Sequence, residues 1–152
     1  MDRDILLPIV GTKQRPMHCG PVCIELVLKF YGFENMDQAI IGKDLNVKGN
    51  RGCFPRDVIK YLKRYNITAE KSKAITDIEK ISEGRPIFLG QRDHFMLLIG
   101  REGDNFIYID PATGRRNRDK YEYFKKEVVD LVLITHVGEH DGRKGKKNKS
   151  KR

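Results

Sequence analysis

Cys19 and Cys23 stand four residues apart in the stretch KQRPMHCGPVCIELVLKFYGF, where a polar segment gives way to an amphipathic run. Cys19 occupies the junction. Three roles are open to it: nucleophile, metal ligand, or small buried side chain. At the first turn of a helix, unpaired backbone N–H groups and the helix dipole favour a thiolate over a thiol, which is what a nucleophile requires.

A nucleophilic cysteine also needs a base. Of the four histidines, His136 lies near the end of the last apolar run and His140 in the tail. His18 adjoins Cys19, and adjacent helix residues point apart. His94 opens the apolar run HFMLLIG; the turn REGD follows, and NFIYIDP returns. A hairpin folded about Glu102 sets Leu98 opposite Phe106, Met96 opposite Tyr108 and His94 opposite Asp110. Opposed residues share a face with Cβ atoms about 5 Å apart. This register predicts an imidazole beside a carboxylate able to fix its tautomer and stabilise its charged form. Singly, His94 reads as a core histidine and Asp110 as the first residue of the turn Asp-Pro-Ala-Thr-Gly. Their joint placement downstream of a cysteine-headed helix favours a catalytic site.

A metal reading competes. His18, Cys19, Cys23 and Cys53 offer four zinc-type ligands, and Cys19 and Cys23 share a helix face at i, i+4. Against it, the sequence has no paired Cys-x-x-Cys knuckles, and Cys23 and Cys53 serve equally well as packing residues. Three is an odd number of cysteines, and nothing else points to an oxidising compartment, so free thiols are expected rather than disulfides.

The elements that must carry these groups follow from periodicity. A helix is expected over Cys19–Phe30, with Val22, Cys23, Leu26, Val27 and Phe30 on one face. A short helix is expected over Met36–Leu45, and Asn46–Gly52 reads as a loop. Pro55 opens a helix through Tyr65, with Val58, Ile59 and Leu62 inward. A strand over Ile67–Glu70 and a helix over Thr76–Ser82, capped by Thr76 with Glu79 three residues on, come next. After Gly84 the segments Pro86–Gly90, His94–Gly100, Asn105–Asp110 and Leu131–His136 read as strands. Helices first and strands after predict an α+β domain, with N-terminal helices packed on an antiparallel β-sheet.

With these motifs in place, the sequence resembles the double-glycine leader peptidases, papain-like cysteine peptidases that process bacteriocin precursors. The family's Cys-Gly-x-Ala-Cys motif is met by CGPVC at Cys19, Gly20 and Cys23, followed by the aromatic-glycine pair Tyr31-Gly32. Its His-Phe and Asp-Pro motifs are met by His94-Phe95 and Asp110-Pro111. The similarity runs from Thr12 to His136. It implies a papain-like cysteine peptidase fold, Cys19 as nucleophile, His94 as base and Asp110 as the residue that orients it, with no cofactor. It implies an oxyanion role for Gln14, although the family's glutamine lies six residues before the cysteine and Gln14 lies five before. The acidic residue that precedes the family's cysteine is His18 here, and Val22 and Leu26 replace its Ala and Met. The implied partner is a peptide or protein substrate cut after a Gly-Gly or Gly-Ala type leader. A catalytically weak peptide-binding module of the same fold is the alternative within the family. The membrane helices and ATPase of the family's transporters are not in this sequence.

Composition bounds the rest. No apolar stretch is long enough to cross a bilayer. Acidic residues precede the six-residue apolar run Ile5–Val10, unlike a secretory signal, so a cytoplasmic protein is expected. The net charge of +9 is uneven, since residues 139–152 hold seven Lys/Arg and two acids. That segment is expected to be a disordered basic tail following a peptidase domain over 1–138. It reads first as a solvating tail and second as a weak arm for nucleic acid or another anionic partner.

Overall fold

The computed structural model describes residues 4–47 and 53–138. The apolar stripe beginning at Val22 winds into α1 (Cys19–Phe30), with Pro21 in the first turn, where a missing N–H costs nothing. α2 (Gln38–Asp44) starts at Asp37, whose carboxylate accepts from the Ile40 N–H at 3.0 Å. α3 (Pro55–Lys63) begins on a proline, and Asp57 reaches back to accept from the Phe54 N–H at 2.8 Å. It stops two residues before the expected Tyr65, and the chain turns through Asn66 at φ 61.

Among the described residues seven strands form one antiparallel sheet: β1 (Ile5–Leu6), β2 (Ile67–Ser72), β3 (Ile87–Gly90), β4 (Phe95–Glu102), β5 (Asn105–Asp110), β6 (Arg115–Lys120) and β7 (Asp130–Val137). Their order is β2-β7-β3-β4-β5-β6, with β1 on β4. Strands β3 to β6 form a meander, and β7 returns to the other side of β3. The α+β architecture expected from the sequence is present. β3 and β4 are buried at every position except Glu102, so the centre of the sheet is covered on both faces. α1 packs on β4 and α2, and α3 packs on β2 and β7.

Several expectations are corrected. Thr76 does not cap the helix near it. That element is a 3₁₀ helix, Ile75–Glu83, led by Ala74, and the polar start belongs to Ser72, which accepts from the Ala74 N–H and donates to Asp77. β6 and a fourth helix, α4 (Tyr121–Glu127), occupy a stretch where the sequence pattern predicts no element. Residues 48–52 of the expected loop and the expected basic tail, 139–152, lie outside the described residues. Among the described residues no helix is long and apolar enough to cross a membrane.

The β4–β5 hairpin also departs from its expected register. Glu102 pairs with Asn105, leaving a two-residue loop whose first member, Gly103, has φ 61. This turn alone would give an odd register, setting His94 and Asp110 on opposite faces. A bulge between Leu98 and Gly100 shifts the pairing by one, so that Leu97 meets Ile109 and Leu98 meets Tyr108. Continued outward, this register sets Met96, not His94, across from Asp110. His94 and Asp110 therefore share a face, as expected, but on a diagonal.

Candidate active site

Cys19 is the first residue of α1 and is partly exposed. The preceding segment enters through a turn closed by the His18 N–H donating to the Arg15 carbonyl at 2.9 Å, with Pro16 second and Met17 third at φ 64. That left-handed conformation is uncommon for a side chain of this size and fixes the direction from which the chain reaches Cys19. Among the described residues no side chain caps α1. Gly20 lets the helix start approach Cys53 closely: a Cβ there would fall 2.6 Å from the Cys53 Cβ.

His94 immediately precedes β4. The Phe95 N–H, at the start of that strand, donates to Cys19 Sγ at 3.3 Å, which brings the head of α1 against the start of β4. The His94 ring Nε2–H donates to Asp110 Oδ1 at 2.7 Å, and the side chains are 24% and 29% exposed. A carboxylate can only accept, so Nε2 carries the proton and Nδ1 is the nitrogen left for another partner. Interaction with Cys19 is the largest influence on the ring. Together with Asp110 it outweighs burial and raises the His94 pKa to about 9. Asp110 Oδ1 also accepts from the Ala112 N–H at 3.0 Å, an Asx turn that holds the carboxylate over the loop leaving β5. A thiol from the head of α1 thus meets an imidazole and a carboxylate from the β4–β5 hairpin.

Gln14 lies in an extended strap before the turn. Its backbone N–H donates to the Pro111 carbonyl at 2.7 Å, so the strap is tied to the residue following Asp110. Its side-chain Nε2 donates to the Arg15 carbonyl at 3.3 Å, while Oε1 is buried without a hydrogen-bond partner among the described residues.

His18, the first residue of the zinc reading, is engaged elsewhere. The His18 Nδ1–H donates to the Pro16 carbonyl at 2.7 Å, and its ring fills the space above Gly42 on α2. Cys23 is wholly buried, and its thiol pKa is pushed well above the usual value by that burial and then by Cys19, Cys53 and Asp110. It is a core residue, as one reading of the sequence has it. Among the described residues no group of three or more His, Cys, Asp or Glu side chains is arranged to hold a metal ion.

Two contributors at this site carry no sequence signal. The Phe95 donor is a backbone group and has no letter of its own. Gln38, whose side chain holds the strap on both sides of Gln14, stands among ordinary polar residues at the start of α2.

Residues 9–139 match the model of a protein family described as the peptidase C39 family. No curated protein matches the chain. Among solved structures, the fold is similar to the peptidase domain of Streptococcus ComA, a bifunctional ABC transporter involved in a quorum-sensing pathway (TM-score 0.71, 18% identity, 84% of this chain and 97% of that one). It is similar to a double-glycine motif protease from an AMS/PCAT transporter in complex with the leader peptide (TM-score 0.66, 20% identity, 88% and 97%). It also resembles a protein from Bacillus anthracis described as a C39-like peptidase (TM-score 0.71, 13% identity, 90% and 100%). At these identities the likenesses establish a shared fold.

Proposed function

The chain belongs to the peptidase C39 family and is a cysteine-type peptidase, and from that premise we propose that Cys19, His94, Asp110 and Gln14 carry out the cleavage of a peptide bond. The observation that carries this reading is the His94 ring, paired through Nε2 with Asp110 at 2.7 Å and interacting on its other side with Cys19.

Cys19 Sγ attacks the carbonyl carbon of the scissile bond, forming an S–C bond. Negative charge passes to the carbonyl oxygen, where the Cys19 backbone N–H and the Gln14 side-chain amide receive it; losing one such donor costs about 10²–10³ in rate. His94, protonated in the resting pair, gives its proton to the leaving amine as the C–N bond breaks. A water molecule then attacks the thioester with His94 as base, releasing the acid and restoring the sulfur. Asp110 holds the ring so that Nδ1 faces sulfur throughout.

The substrate is a peptide or protein, cut after a Gly-Gly or Gly-Ala junction. The leader peptide held by the double-glycine protease of the same fold supports a peptide ligand. The test is incubation of the full chain with peptides carrying Gly-Gly, Gly-Ala or Leu-Leu junctions, with products identified by mass. Cleavage after the glycine-containing junctions only, lost in Cys19→Ala, is the expected result. Cleavage that survives Cys19→Ala overturns the assignment of the nucleophile, and binding without Cys19-dependent turnover favours the alternative of a peptide-binding module.

A further inference from the structure

Glu25 and Gln38 are two of the few buried polar residues of the fold, at 3% and 9% exposure, and neither has a part in the chemistry described above. They are joined. Glu25 lies on α1, where Oε2 accepts from Lys29 Nζ at 2.9 Å and Oε1 accepts from the Gln38 N–H at 2.7 Å. Gln38 is the first residue of α2. Its side-chain amide is used at both ends: Nε2 donates to the Lys13 carbonyl at 2.9 Å, and Oε1 accepts from the Arg15 N–H at 2.7 Å. Those two backbone groups flank Gln14.

A single primary amide therefore grips the strap on either side of Gln14, and the Gln14 N–H fixes the strap from its own position to Pro111 at 2.7 Å. Three backbone groups in three consecutive residues are held, two of them by one side chain. Little freedom remains in the strap, and the direction of the Gln14 side chain follows from it. The chain of bonds runs from Glu25 on the cysteine-bearing helix, through Gln38 and the strap, to the turn that carries Asp110.

We infer that Gln38 is a positioning residue of the peptidase reaction, which sets the Gln14 amide for the oxyanion by clamping the Lys13 carbonyl and the Arg15 N–H. The inference rests on the reading of Gln14 as an oxyanion donor. An orphaned strap would lose accuracy at the reacting carbonyl, and misplacement by about 1 Å costs on the order of 10²-fold. The clamp needs a donor and an acceptor on one side chain of this length. A glutamate at 38 keeps the acceptor for Arg15 but offers no donor to Lys13.

Two reactions of the same sulfur separate this role from general damage. Acylation of Cys19 by p-nitrophenyl acetate forms an S–C bond through an oxyanion and releases p-nitrophenolate. Alkylation of Cys19 by iodoacetamide displaces iodide and forms no oxyanion. Rates of both are measured for the full chain, for Gln14→Ala, Gln38→Ala and Gln38→Glu, and for the Gln14→Ala/Gln38→Ala double variant. Cys19→Ala gives the background, and circular dichroism melts check folding. Slower acylation in Gln14→Ala, by about 10² or more, and in Gln38→Ala, by roughly 10- to 100-fold, is expected. Gln38→Glu should fall between Gln38→Ala and the native protein, and alkylation should be unchanged in every variant. The double variant should be no slower than Gln14→Ala. Unchanged acylation in Gln38→Ala, or additive losses in the double variant, overturns the inference while leaving Gln14 in its role. Unchanged acylation in Gln14→Ala overturns the role of Gln14 and this inference with it. Equal loss of alkylation and acylation in Gln38→Glu shows a structural effect and also overturns it.

Discussion

His94 and Asp110 meet on a diagonal of the β4–β5 ladder, Nε2 to Oδ1 at 2.7 Å, and they share a face only because a bulge between Leu98 and Gly100 offsets the odd register of the Gly103 turn. Diagonal neighbours lie farther apart at Cβ than opposed ones, and a histidine and an aspartate together span that gap. One inserted residue thus decides whether a carboxylate and an imidazole can pair.

The raised His94 pKa, about 9, has a direction in pH. The unfolded imidazole titrates near 6.5. Protonation of His94 therefore stabilises the fold fully below about 6.5, and that contribution is lost as pH rises through about 9. Activity that needs a protonated His94 should fall over the same upper range. A pH profile of kcat/KM should show its alkaline limb near 9. Asp110→Asn removes an anion that raises the pKa, so its limb should move to lower pH, along with a reduced maximal rate. A limb that stays in place would deny Asp110 its orienting charge.

Cys19 contributes more to that pKa than Asp110 does. NMR titration of the His94 ring in Cys19→Ala should give a value well below that of the native protein, and a larger drop than Asp110→Asn produces. An equal or smaller drop would mean that the imidazole answers mainly to the carboxylate.

Cys23 should behave as a core side chain. It is 0% exposed, and burial first, then Cys19, Cys53 and Asp110, keep its thiol protonated. Cys23→Ser places a hydroxyl where water cannot reach it and should cost about 1–3 kcal/mol in urea unfolding, with turnover of folded protein retained. A loss of turnover without a loss of stability would assign Cys23 a part in the chemistry.

Phe124 tests the element that the sequence pattern left out. It is the one fully buried residue of α4, with ring centroids 5.8 Å from Phe106 and 5.3 Å from Tyr108. Phe124→Ala should cost about 3–5 kcal/mol, read as a lower urea midpoint. A cost under about 1 kcal/mol would mean that α4 adds little to the core.

Where side-chain patterning and structure coincide, the letters suffice. α1 and β5 have the expected bounds because each combines an unbroken apolar pattern with a distinct start or stop. β6 reads RRNRDK and is exposed at nearly every position; it is a strand because its backbone pairs with β5 from Asp110 to Asn105, a cause no hydropathy pattern carries. α4 escapes notice because Phe124 is its lone buried residue. At the site, Cys19, His94 and Asp110 were legible as residue types in a plausible order. The register was not, because a two-residue turn and a bulge each shift pairing without altering composition. Gln38 was not legible at all, since its partners are backbone atoms 23 and 25 residues away.

The central claim is that Cys19 is activated by the His94–Asp110 pair, and competitive alkylation tests it most directly. The full chain is treated with limiting iodoacetamide near pH 7, and the modified cysteines are mapped by mass. Cys53, partly exposed like Cys19 but not at the head of α1, serves as the internal control. Cys19 should react faster than Cys53 by on the order of tenfold or more, and His94→Ala should erase that advantage. Equal rates at Cys19 and Cys53 in the native protein, or an advantage that persists without the imidazole, would contradict the account.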